Sequence, residues 1–169
     1  MAAKRLTGLS VAALVFGVDQ WLKWFLVKRL QLESLGLIEL VGNFDLRYAR
    51  NYGVSFSLLT ASSVEMRWLL VALTGLIALG VLVWMLREKA LADIVALGMV
   101  LGGAIGNIRD RATLGFVVDY ADLHFGDFRP FQIFNLADAA ISIGVVIILA
   151  RSFLSREKRA ENETGGQPA

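Results

Sequence analysis

Four apolar blocks, each close to the ~20 residues that cross a bilayer as a helix, dominate this 169-residue chain and constrain every other reading of it. At 56% hydrophobic and 19% charged residues it is too apolar for an ordinary soluble domain of its length, and the apolar residues are gathered rather than scattered. The expected fold is therefore an all-α integral membrane protein: four transmembrane helices, with a small β-sheet and a loop at the outer surface. The absence of cysteine excludes a disulfide framework, a thiol nucleophile and a thiolate metal site. A net charge of +2 is too small to point to nucleic acid, and a pI near 9.2 suits anionic lipid neighbours.

The first span covers about residues 6–30. Lys4 and Arg5 before an apolar stretch imitate a signal peptide, but no small-x-small cleavage site follows. Asp19, Gln20 and Lys23 come instead, and then more apolar residues, as in a retained helix with one polar face. In residues 31–65, Phe44, Leu46 and Tyr48 alternate with Asp45 and Arg47, a strand pattern of period two. Asn51-Tyr52-Gly53 marks a turn, after which residues 54–58 are expected to pair back. The second span covers about 66–86, and Arg87-Glu88-Lys89 makes a short turn. The third covers about 91–110, with Gly98, Gly102 and Gly106 forming a small-residue stripe for close helix approach. Residues 112–133 read as a loop containing Asp119, His124 and Pro130, and the fourth span covers about 135–150. Residues 1–151 thus form one four-span unit, and the charged tail 152–169 is expected to be disordered and cytoplasmic.

Four spans put both termini on one side. The termini and the 87–89 turn hold eight Lys and Arg, and the opposite side also holds eight, with Lys23 left inside the first span. The positive-inside rule gives a tie. Cytoplasmic termini are preferred because both tails and the turn are ordinary topogenic positions, whereas Arg47, Arg50, Arg109 and Arg111 lie among polar residues that suggest a site. Trp21, Trp24, Trp68 and Trp84 read as interfacial anchors or lipid-facing bulk.

Two aspartates then stand out, because a carboxylate in or beside hydrocarbon is costly without partners or a purpose. Asp138 falls on the first turn of the fourth span and Asp119 in the loop before it, at the same boundary. Asn135, Asp138 and Ser142 share a helical face, as do Asn107 with Arg111 and Asp19 with Lys23. Three helices so aim polar faces inward at one depth. Two neighbouring carboxylates share a proton, and such a pair splits a peptide bond with water: one acid takes the water's proton, the other donates to the carbonyl oxygen. No metal is needed, and the single histidine with no His-Glu-x-x-His offers no metal set. Nor does any spacing support a serine nucleophile. Asp19 with Lys23 remains open between a structural ion pair and a site component. Asn107, Asp110 and Arg111 read as a network fixing helix ends, with Arg111 also placed to steady a carboxylate or a lipid phosphate. His124 reads as a loop histidine. A transporter or proton relay is the main rival, but its acids favour the midplane and its spans often repeat. A non-enzymatic assembly subunit would leave the two aspartates unexplained.

The motifs Asp19-Gln20-x-x-Lys23, Asn51-x-Gly53-x-x-Phe56, Gly102-Gly103-Ala104-x-Gly106-Asn107-x-x-Asp110-Arg111, Val117-Val118-Asp119-Tyr120 and Phe134-Asn135-x-Ala137-Asp138 occur in this order. Over about residues 5–151 the chain closely resembles the lipoprotein signal peptidases, the type II signal peptidases of bacteria. The resemblance implies an aspartyl endopeptidase of the cytoplasmic (inner) membrane, with Asp119 and Asp138 as the catalytic pair and the site toward the outer face. Asn51, Gly53, Asn107, Arg111 and Asn135 would line the site or hold the pair; Asp19, Lys23 and Asp110 would support it. The implied substrate is a prolipoprotein whose cysteine already carries diacylglycerol, cut just before that cysteine. A monomer without cofactor, inhibited by globomycin-type peptides and in contact with membrane lipids, is expected. Tyr120 stands where phenylalanine is common, and Val54 and Ser55 where alanines are; both changes are expected near the substrate path.

Overall fold

The computed structural model describes residues 2–53, 64–126 and 128–164, with side chains described up to residue 154. Helix α1 (Ala2–Trp24) continues into a π-helical turn at Phe25–Arg29, followed by the short α2 (Leu32–Leu35). Strands β1 (Leu37–Val41) and β2 (Phe44–Asn51) come next, then α3 (Val64–Arg87), α4 (Leu91–Leu114), β3 (Val117–Leu123) and α5 (Leu136–Thr164). Four helices, α1 with its π-helical turn, α3, α4 and the first part of α5, are long and apolar enough to cross a membrane, as the four apolar blocks predict.

Helix α4 is the centre of the bundle. It packs on α1, α3 and α5, and it buries Ile94, Leu97, Leu101, Asn107 and Asp110 along with its glycines. A Cβ on Gly98 would lie 2.6 Å from the Gly8 carbonyl oxygen of α1, and one on Gly103 would lie 2.5 Å from the Ala137 carbonyl oxygen of α5. The glycine stripe is therefore a contact surface for the α1 backbone, and Gly103, outside the stripe, is one for α5. At the end of the stripe, Gly106 leaves room for the Asp19 carboxylate. Helix α3 buries only Ala78 and Met85, and Trp21, Trp24, Trp68 and Trp84 are all exposed, as suits side chains facing lipid. Lys4 bonding the Lys89 carbonyl (2.9 Å) and Arg151 paired with Asp93 (2.6 Å) tie the end that carries the termini.

At the opposite end lies a three-stranded antiparallel sheet in the order β1-β2-β3. The alternation at Phe44–Tyr48 is indeed strand, but its partners differ from the expectation. Residues 54–58 lie outside the described residues, and β2 pairs with β1 and with β3, a strand inside the stretch read as a loop. That strand is buried from Val117 through Asp122 on both faces, so it lacks the period-two signal of a half-exposed strand. Between the pairs Leu46↔Ala121 and Ala49↔Asp119 the register shifts by one residue, a bulge immediately beside Asp119. Phe134 then pairs with Ala121 through two backbone bonds of 2.8 and 3.0 Å, which delivers the start of α5 to β3. The tail also differs from the expectation of disorder. Helix α5 continues to Thr164, because residues 152–164 are rich in Arg, Lys and Glu and contain neither Gly nor Pro.

Candidate active site

Asp119 and Asp138 are 19 residues apart in sequence and share Asn135 as a hydrogen-bond partner because two elements converge: β3 carries Asp119, and the Phe134–Ala121 pairing sets the first turn of α5 beside it. Asn135 caps α5. Its Oδ1 accepts from the Asp138 N–H (2.9 Å) and its own N–H donates to Asp138 Oδ2 (3.2 Å), a reciprocal capping box that locks both side chains. With its oxygen committed, the Asn135 amide turns its Nδ2 to Asp119 Oδ1 (2.6 Å) and to Asn107 Oδ1 (3.2 Å).

Two further asparagines complete the frame. Asn51, at the end of β2, donates from Nδ2 to Asp119 Oδ2 (2.9 Å) while its Oδ1 accepts the Gly53 N–H (2.8 Å). Asn107 of α4 donates from Nδ2 to Asp138 Oδ1 (2.8 Å). Each of the four carboxylate oxygens so receives one N–H donor, and three asparagine side chains hold the pair in place. Gly53 adopts φ +94°, a conformation that suits glycine, and it lies against Arg111: a Cβ there would be 3.5 Å from Arg111 Nε. Arg111 lies within electrostatic reach of Asp138, Asp119 and Asp110, and its Nε is buried with no hydrogen-bond partner among the described residues.

Behind this frame lies a buried ion cluster. Lys23 Nζ is 2.9 Å from both Asp19 Oδ2 and Asp110 Oδ2 and 3.4 Å from Asn107 Oδ1. Asp19 Oδ1 accepts the Ala137 N–H (3.1 Å), and Gln20 bridges Asp19 and Asp110. Asp19 with Lys23 is thus an ion pair that also touches the frame. All eight supporting residues inferred from the sequence, Asn51, Gly53, Asn107, Arg111, Asn135, Asp19, Lys23 and Asp110, gather at this end of the bundle.

The environment of the pair is asymmetric. Asp119 is 2% exposed. Burial pushes its carboxyl up to about 6, with Asp138's charge adding and the Asn51 and Asn135 hydrogen bonds opposing. A cavity of about 680 Å³ reaches Asp119 and is lined by Asn51, Tyr52, Gly53, Arg129 and Phe131. A smaller apolar groove of about 370 Å³ reaches Asp138 past Leu123, Phe131, Phe134 and Ile143. Phe131 borders both. Among the described residues, no three His, Cys, Asp or Glu side chains are grouped as metal ligands.

Two details depart from the sequence reading. Tyr120 lines neither cavity at the pair: strand alternation points it to the opposite face from Asp119, into an apolar cluster with Leu26 and Leu32. Its hydroxyl accepts the Leu136 N–H (3.0 Å), satisfying a donor at the start of α5, and burial pushes that hydroxyl's pKa upward. Val54 and Ser55 lie outside the described residues. Gln20, named in the first motif without a role of its own, joins the ion cluster through its bonds to Asp19 and Asp110.

A model of the family described as signal peptidase (SPase) II matches residues 11–154. The chain belongs to the signal peptidase II family. Its similarity to other members spans nearly its whole length. It is 54% identical to a lipoprotein signal peptidase of Rhizorhabdus wittichii, covering 92% of this chain and 91% of that one, and 51% identical to one of Sphingopyxis alaskensis, covering 91% and 89%. A bacterial membrane enzyme solved by the in meso method at 1.9 Å resolution superposes with a TM-score of 0.72 at 27% identity, over 86% of this chain and 91% of that one. Membership makes the chain a membrane-embedded, multi-span peptidase.

Proposed function

We propose that this signal peptidase II family member is an aspartyl endopeptidase that removes the signal peptide from diacylglyceryl-modified prolipoproteins. The observation that carries the reading is the asparagine-framed pair Asp119 and Asp138 at one end of the bundle, with a donor on each of its four oxygens. The names of the similar proteins from Rhizorhabdus and Sphingopyxis support the substrate class.

Asp119, with its proton affinity raised by burial, carries the shared proton at rest, and Asp138 is the ionised partner. A water held between them loses a proton to Asp138 as its oxygen attacks the scissile carbonyl. Asp119 donates its proton to the carbonyl oxygen as that oxygen gains charge. When the tetrahedral intermediate collapses, the C–N bond breaks, Asp138 passes its proton to the leaving amine, and the hydroxyl proton returns to Asp119. Both aspartates end as they began. Arg111, within electrostatic reach of both acids, limits the charge repulsion of the pair.

A lipidated cysteine keeps its acyl chains in the bilayer, so the bond before it is held at the boundary where the pair lies. The apolar groove at Asp138 suits the acyl chains, and the larger cavity at Asp119 suits the peptide. Holding the bond at that depth supplies proximity without a deep soluble cleft. In this reading residues 1–151 are one catalytic unit in the bacterial cytoplasmic membrane, with cytoplasmic termini, the site toward the outer face, and a monomeric working form. The test uses the purified protein in detergent with a prolipoprotein prepared with and without diacylglycerol on its cysteine. Cleavage just before the cysteine of the lipidated form alone, blocked by globomycin, is expected. Equal cleavage of both forms, or full activity with globomycin, refutes the substrate assignment.

A further inference from the structure

An asparagine amide is two-faced: rotated by a half turn, it offers an oxygen where it offered an N–H. Asn107 bonds Asp138 with its Nδ2 (2.8 Å), so Asp138 Oδ1 acts as an acceptor there. Turned over, Asn107 would place its oxygen on Asp138 and favour the protonated acid. Something must therefore fix which face Asn107 presents. Its other face touches Lys23 Nζ at 3.4 Å and Asn135 Nδ2 at 3.2 Å. The Asn135 amide is itself oriented by the Asp138 N–H. An ammonium group has three donors and no acceptor, so any atom of Asn107 that bonds Lys23 must be its oxygen. Lys23 has no freedom to leave, being buried and paired with Asp19 and Asp110 at 2.9 Å each.

We infer that Lys23 is a positioning residue for the reaction: held by Asp19 and Asp110, it orients the Asn107 amide so that its donor faces Asp138. This rests on the aspartyl reading above and deepens it. It also gives the buried ion cluster a purpose, since a buried ion pair is weak evidence for stability and is often replaceable by apolar side chains without loss. The charged and titratable groups around Asn107 and Asp138 are Lys23 and Asp19 from α1, Asp110 and Arg111 from α4, and Asp119 and Tyr120 from β3.

The test is Lys23→Met in the full-length protein, assayed on the lipidated prolipoprotein across pH. With the Lys23 donor to the Asn107 oxygen lost and only Asn135 Nδ2 left on it, kcat is expected to fall by about tenfold or more while KM stays within about twofold. The acidic limb of the rate profile moves to higher pH, because a donor that favours the ionised base has been lost. Lys23→Met leaves two buried carboxylates without their cation and is prone to misfold. Lys23→Met with Asp110→Asn keeps the cluster's net charge unchanged and carries the same expectation. A folded variant of either kind with the wild-type kcat and profile overturns the inference, as does a fall in kcat with an unmoved acidic limb. Asp119→Asn and Asp138→Asn run alongside. Turnover in either would sink the aspartyl reading itself; two inactive controls beside a wild-type-like Lys23 variant would sink only the role of Lys23.

Discussion

Replacing Asp119 with asparagine is predicted to end turnover and, above pH 6, to relieve the folded state of a buried charge. The Asp119 carboxyl titrates at about 6 in the folded protein, against 3.8 in an unfolded chain. Below pH 3.8 both states hold the proton, and the group contributes nothing to the pH dependence. Between 3.8 and about 6 unfolding releases a proton, so wild-type stability falls as pH rises. Above 6 both states are ionised, and the folded state carries the whole cost: about two units at 1.36 kcal/mol each, or about 3 kcal/mol. Asparagine carries no such cost. It does have only one acceptor oxygen for the two amide donors of Asn51 and Asn135, which costs about 1–3 kcal/mol, but that loss is independent of pH. The stability of the variant relative to wild type should therefore improve by about 3 kcal/mol between pH 4 and pH 8. Thermal unfolding in detergent, followed by the fluorescence of the four tryptophans, reads this directly. At about 2–4 °C per kcal/mol, the Tm difference should open by roughly 6–12 °C over that range. A Tm difference that stays constant with pH would refute the claim that burial makes Asp119 the proton holder.

Asn51→Leu removes the Nδ2 donor to ionised Asp119; the loss of about 1.5–3 kcal/mol should move the alkaline limb of the rate profile up by about one to two units, read from kcat against pH. Asn135→Ser keeps a helix-capping hydroxyl but loses the amide donor to Asp119, so kcat should fall by about tenfold or more and the alkaline limb should move up as in Asn51→Leu; an unmoved limb would point to capping alone. Gly98→Ala places a Cβ 2.6 Å from the Gly8 carbonyl oxygen, which should cost about 1–3 kcal/mol in thermal unfolding, whereas Gly17→Ala, with nothing within 4 Å, should cost nothing measurable.

The four spans were legible because each is a long apolar run with charged or glycine-marked ends, a signal that survives without knowledge of neighbours. The candidate site was legible in part for a local reason: Asn135 and Asp138 are three residues apart at a helix start, and Asn107 and Arg111 are one turn apart. Strand β3 was not legible. Asp119 and Asp122 are buried beside Val117, Val118 and Ala121, so polarity does not alternate with the pleat, and acids usually mark exposed positions. The role of Tyr120 was hidden for a related reason. Its partner, the Leu136 N–H, becomes its neighbour only through the pairing of Phe134 with Ala121, a contact that no local pattern encodes. The helix past Arg151 was not legible because its charged residues, followed by Gly165 and Gly166, have the composition of a solvated tail.

The central claim is that Asp119 and Asp138 act as one proton-sharing pair. It is tested most directly by single-turnover cleavage of a diacylglyceryl-modified prolipoprotein by the Asp119→Asn and Asp138→Asn proteins, each first shown to be folded. The account predicts that neither forms product above the uncatalysed background and that the double variant is no worse than either single one. Product formation above that background by either single variant would contradict it.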